Sequence, residues 1–216
     1  MTQLHAIHKG VGVVRPTSDI DILLHIETGR GAPRRAAAAL EELGYELQPP
    51  VDPRTARAHR WLRPGQRVDV AGGRGQVDVV RADHAAPSVV ERMRGHDMVP
   101  IAGGTQALQR TINATLIIRA GVPTTISVPR AFGAVLLKSA AYLADSRDRD
   151  RHLFDAAALL ACIDDPFEEA AELRGSDRRR IATLSDRLTE GHPSWRALTP
   201  RARANGQAAL RILAAA

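Results

Sequence analysis

Asp19 and Asp21 are the residues of this chain best placed to do chemistry. They lie in Arg15-Pro16-Thr17-Ser18-Asp19-Ile20-Asp21-Ile22-Leu23-Leu24, where a Pro/Thr/Ser turn leads into an apolar run. Ile20, Ile22 and Leu23 favour extended backbone, so residues 19–26 are expected to form a buried strand. Residues i and i+2 of a strand face the same way, which sets two carboxylates side by side. Burying both unpaired is costly. A divalent cation resolves the repulsion, and oxygen-only ligation suits Mg²⁺, which takes one or two carboxylates plus substrate phosphates. A solvated strand end is the alternative reading of a bare D-x-D.

Phosphoryl or nucleotidyl transfer with two metal ions calls for a third carboxylate, both to bridge the ions and to take a proton from the attacking hydroxyl. Asp78, in Val77-Asp78-Val79-Val80, is bracketed by apolar residues, where a charge is expensive without a partner. Asp69, in Arg67-Val68-Asp69-Val70, is the rival. The chain has two lysines, Lys9 and Lys138. Lys138 sits inside Val135-Leu136-Leu137-Lys138-Ser139-Ala140-Ala141, where a compact charge either snorkels or binds phosphate.

The formal charge of +6 is unevenly spread. Residues 1–144 carry 18 Lys/Arg against 12 Asp/Glu, and residues 145–216 carry 12 of each. The cationic excess therefore accompanies the D-x-D, and nucleic acid or a polyphosphate is a natural partner for it, with an Arg-rich composition bias as the alternative source. Aromatic residues make up only 3%, so the core must be built from Ala, Leu, Val and Ile. No apolar run approaches the roughly 18 residues of a membrane span. Met1–Gly10 lacks the apolar stretch of a signal peptide. A lone Cys162 rules out internal disulfides and fits a reducing cytoplasm. His5 and His8 have no Cys or third His with which to hold zinc. Arg178-Arg179-Arg180 reads as a solvated helix face.

Positioning elements follow from period and punctuation. Residues 32–44 are expected to be a helix with Gly44 beyond its end. Short extended pieces are expected at Ala58–Leu62, Val68–Ala71, Val77–Arg81 and Val122–Val128, while 105–119 is ambiguous. Residues 131–144, 149–163, 166–174, 178–189 and 200–215 show helical period. The expected fold class is α+β: a small mixed-sheet core over 1–128, then an all-helical domain over 129–216, with the site in the cleft between them.

The run R-P-T-S-D-I-D, a later V-D-V-V, then S-V-P-R-x-x-G-A-V-L-L-K-S-A-A-Y and R-D-R-D-R-H-L-F-D-A-A-A-L-L together resemble the minimal nucleotidyltransferases of the DNA-polymerase-β superfamily. More closely, they resemble bacterial toxins of the AbiEii/MenT type, over about residues 4 to 163. The resemblance implies Asp19, Asp21 and Asp78 as the metal carboxylates, with Asp78 also catalytic. It implies Arg15, Thr17, Ser18 and Lys138 at the nucleotide phosphates, and Lys138 and Asp155 as further catalytic residues. The family usually has Lys-Asp where this chain has Arg151-His152. Its phosphate-cradling Gly pair would fall before Met1, and Gly103-Gly104-Thr105, in the wrong order for it, is read as a turn.

The function so implied is a toxin of a toxin–antitoxin system. With Mg²⁺ it would transfer NMP from an NTP to the 3′ end of tRNA and block translation, in the cytoplasm, with a cognate antitoxin as partner. Two alternatives stand beside it. One is a small-molecule nucleotidyltransferase of the aminoglycoside-modifying kind, which the basic N-terminal half disfavours. The other is a catalytically inactive, antitoxin-like binding protein.

Overall fold

The computed structural model describes residues 1–12, 19–50, 52, 54–65 and 75–216. The fold is α+β, with a mixed five-stranded sheet, a separate two-stranded antiparallel ribbon and eight α-helices among the described residues. The chain forms two compact units: Pro16–Leu108, and Met1–Arg15 with Gln109–Ala216. Residue 128, the division expected from composition, lies inside the second of these.

In Pro16–Leu108 the sheet order is β1 (Asp19–Leu24), β4 (Gln76–Ala82), β3 (Arg60–Leu62), β2 (Glu46–Leu47), and β5 (Pro100–Ile101) pairs with the end of β4. β1 and β4 run parallel, and β3 and β4 antiparallel. Strand alternation sorts the side chains. Ile22, Leu24, Trp61, Val77 and Val79 join Ala37 and Leu40 of α2 (Ala32–Glu42), with Met93 and Met98, in one core. The residues between them in sequence fall on the other face. Asp83 follows β4 and caps α3 (Gly104–Leu108), accepting from the backbone N–H of Gly103 at 2.9 Å and of Thr105 at 3.2 Å. Burial alone would raise its pKa, but these bonds outweigh it and hold the carboxyl below its ordinary value. A Cβ on Gly104 would lie 2.9 Å from Ala82 Cα, so only glycine lets this helix start so close to the strand. The Gly103-Gly104-Thr105 turn is therefore a helix start braced against β4.

The other unit is a helical assembly of α4 (Ala131–Ala144), α5 (Asp150–Leu160), α6 (Pro166–Ala171), α7 (Asp177–Arg187) and α8 (Pro200–Ala215). Its core is largely aliphatic, as the scarcity of aromatics demands, and Phe132, Tyr142 and Trp195 supply the large rings. Close packing needs small residues: a Cβ on Gly206 of α8 would stand 2.9 Å from the Trp195 ring. The N-terminal helix α1 (Thr2–Lys9) belongs to this unit. Lys9 Nζ meets Asp164 at 2.6 Å, and Thr199 N–H donates to Val11 O at 3.0 Å.

The ribbon of β6 (Thr111–Arg119) and β7 (Val122–Pro129) springs from the same unit. Arginines anchor both feet. Arg110 Nη2 donates to Asp177 at 2.9 Å and to Glu172 O at 3.0 Å, with Arg110 and Asp177 both buried. Arg130 Nη2 donates to Glu172 at 2.7 Å and to Glu169 at 3.1 Å. No helix among the described residues is long and apolar enough to cross a membrane.

Candidate active site

Parallel pairing puts Asp21 directly opposite Asp78, and Asp19 opposite Gln76. Adjacent strands lie about 4.8 Å apart, so Asp21 and Asp78 are nearest neighbours across the ladder. Arg60 stands opposite Asp78 on its other side. The face turned away from the α2 core thus carries Asp19, Asp21, Gln76, Asp78 and Arg60. The period-2 argument places Asp19 and Asp21 on one face, and the register of β1 against β4 brings Asp78 beside them. Asp19 and Asp21 are exposed, and Asp78 is half-buried. Asp69, the rival, lies outside the described residues, as do Arg15, Thr17 and Ser18.

Asp78 is held in place. Gln76 Nε2 donates to Oδ2 at 3.0 Å, Arg60 Nε donates to Oδ1 at 3.4 Å, and His59 Nε2 lies 4.0 Å from Oδ2. Sequence reasoning missed Arg60 and Gln76. The signal was parity: Arg60 precedes the apolar Trp61, and Gln76 is two residues before Asp78. A carboxylate has about four acceptor positions, and these two bonds use two. All-oxygen donors on one sheet face suit a hard cation such as Mg²⁺. Among the described residues no three Asp, Glu, His or Cys side chains form a closed metal cage. Asp19, Asp21 and Asp78 are neighbours by register, and a cation would have to draw their side chains together.

Lys138 and Asp155 belong to the helical unit. Lys138 Nζ lies 2.7 Å from Asp155 Oδ2, joining α4 to α5, with Asp155 buried and Lys138 partly so. The lysine inside an apolar helix is thus a paired charge, which neither simple snorkelling nor an unpaired cation describes. One turn earlier on α5, His152 Nε2 is 3.1 Å from Asp145 Oδ2. Asp145 Oδ1 also accepts from the backbone N–H of Arg147 at 2.8 Å and of Asp148 at 3.2 Å, and Oδ2 from Arg151 at 3.0 Å. Those backbone bonds, then His152 and the Arg151 charge, hold the Asp145 carboxyl far below the usual range against the opposing effect of burial.

Burial lowers the His152 pKa, and the nearby Lys138 and Arg151 charges add to that, while Asp145 works against them. The ring therefore takes up a proton more readily in the unfolded chain. Acid favours unfolding as pH falls from about 6.5 through the depressed folded value. His5 is lowered likewise, by burial first. We expect the urea midpoint to drop between pH 7 and pH 5, and His152→Gln to flatten that drop without removing it. Equal slopes for wild type and variant would show that the ring is not linked to folding.

Comparison with protein-family models, with curated proteins and with solved structures finds no match for this chain.

Proposed function

We propose that the chain is a metal-dependent nucleotidyltransferase, the toxin of a toxin–antitoxin system, moving NMP from an NTP onto the 3′-terminal hydroxyl of tRNA. The observation that supports it is the register of Asp21 against Asp78 on parallel strands, with Asp19 on the same face. In the reaction the hydroxyl oxygen bonds to the α-phosphorus, the bond to pyrophosphate breaks, and Asp78 takes the hydroxyl proton. Mg²⁺ held by Asp19, Asp21 and Asp78 would neutralise the phosphate charge. The protein's own share is to fix carboxylates on a rigid sheet, with Arg60 and Gln76 holding Asp78 in orientation. Arg15, Thr17, Ser18, Lys138 and Asp155 enter the proposal through the family resemblance. The cytoplasm and a cognate antitoxin enter the same way.

The assay is labelled NTP with Mg²⁺ and total tRNA, read as label on the tRNA end. Transfer is expected with wild type, to be lost with EDTA, and to fall in Lys138→Ala while the thermal midpoint shows a folded protein. Lys138→Arg should not rescue, because a planar fork does not replace a compact ammonium. No transfer with any of the NTPs would overturn the proposal. It would favour a second reading, a non-catalytic antitoxin-like binding protein, for which one observation speaks: both Asp78 oxygens already have partners in Arg60 and Gln76.

A further inference from the structure

The two long edges of the β6–β7 ribbon are not alike. Arg130 N–H donates to Arg110 O at 2.7 Å at the foot of the ribbon. In an antiparallel pair, bonded and non-bonded positions alternate. The pairs Ile112–Val128, Ala114–Ile126 and Leu116–Thr124 therefore exchange the ladder bonds. The pairs Asn113–Ser127, Thr115–Thr125, Ile117–Pro123 and Thr111–Pro129 turn their backbone groups outward.

On β7 that outward edge is interrupted at both ends. Pro123 and Pro129 have no N–H to offer. The Pro129 carbonyl is taken by His5 Nε2 at 2.8 Å. On β6 the outward N–H and C=O groups of Asn113, Thr115 and Ile117 are all present, and no third strand pairs with them among the described residues. β6 carries one charge, Arg119 at its tip, and no proline. Ile112, Ile117 and Ile118 are 44%, 76% and 67% exposed. A long edge with no proline and no charge before its tip is a template for strand pairing, and chains that must avoid pairing place charge or proline there. This one does so on β7 only.

We propose that the open edge of β6 pairs with β6 of a second copy of this chain, antiparallel and two-fold, making a four-stranded sheet in the order β7-β6-β6-β7. A two-fold contact must be self-complementary. Centred on Thr115, the register sets Thr115 against its own counterpart, Asn113 against Ile117 and Ala114 against Leu116. Ile112, Ala114 and Leu116 share one face, Ile117 meets Asn113 on the other, and the lone Arg119 of each strand meets no like charge. The pairing also cures a local weakness, since an isolated two-stranded ribbon is marginal in water and further strands stabilise it. A seam of one strand pair is smaller than the roughly 1,600 Å² of a standard interface, so the dimer is weak, with a Kd on the order of tens of micromolar.

Sedimentation of the full chain at rising concentration tests the proposal. The apparent mass should climb from 23.3 kDa toward twice that value. Thr115→Pro deletes one outward N–H while leaving the β6–β7 ladder bonds, and should hold the chain monomeric. Thr125→Pro makes the same deletion on the β7 edge and should leave the dimer. Circular dichroism reports whether either variant has lost its fold. A nitroxide on Thr125→Cys gives a second reading that needs no proline. Cys162 is buried, its thiol pushed up to about 11 by that burial, so it does not compete for the label. Three strand spacings put the two labelled backbones about 14 Å apart. A wild type that stays monomeric, a dimer indifferent to Thr115→Pro, a dimer broken by Thr125→Pro alone, or a label separation of about 5 Å would each overturn the proposal.

Discussion

Asp21→Ala transfers label from NTP to tRNA at least about 10³-fold more slowly than wild type, because a metal site stabilises transition-state charge by several kcal/mol. The residue is exposed at the edge strand of the sheet, so its loss removes no core packing and the thermal midpoint should scarcely move. Asp19→Ala and Asp78→Ala should fall comparably. Glu46→Ala, two strands from Asp78 on β2, should not. Metal binding gives an independent readout: Mg²⁺ or Mn²⁺ should raise the wild-type midpoint and leave that of Asp21→Ala unchanged. A loss of tenfold or less in Asp21→Ala, with metal stabilisation intact, would remove the carboxylate face from the chemistry.

The largest effect on stability is expected at the foot of the ribbon. Arg110 and Asp177 side chains are 1% and 0% exposed and 2.9 Å apart. Arg110 also lies over the Phe132 ring, 5.2 Å from its centroid. Asp177→Ala would strand a guanidinium that cannot shed its proton, at a cost of about 3–5 kcal/mol. For a chain of this size that lowers Tm by about 10 °C or more. The double variant Arg110→Met/Asp177→Leu should recover most of the loss, since apolar replacements of similar volume fill the space without desolvating a charge. A single variant that melts within a degree or two of wild type would mean that water reaches Arg110.

Periodic elements were legible in the sequence because their signal is local. Helices at 131–144 and 200–215 stand at the expected residues, and the strand at 122–128 and the helix at 32–44 are found with small changes at their ends. The ambiguity of 105–119 has a physical source. Gly104–Leu108 is one helical turn and a half running directly into β6, so two periods share a window shorter than either needs. At the candidate site, parity was enough to align Asp19 with Asp21. Their meeting with Asp78 required a strand register that no local pattern encodes. The pairing of Lys138 with Asp155 was beyond local reading too, and Asp155 was set beside Lys138 only through the family resemblance. The link from Asp145 to His152 and Arg151 was missed because it is made across a helix–helix turn by a C-terminal cap.

The attachment of α1 to the C-terminal helices makes Pro16–Leu108 an insertion within another folding unit. During synthesis at roughly 5–20 residues per second, the sheet can close long before the helical unit is complete. α1 emerges earlier still, yet Asp164, its ion-pair partner, is made 155 residues after Lys9, and Thr199, which bonds Val11, later again. A helix of eight residues is not stable alone in water. The N-terminal segment must therefore remain unattached while the inserted unit folds, and docks only when the later helices arrive. Order of emergence and order of assembly are inverted in this chain, and its first helix is among the last to find its place.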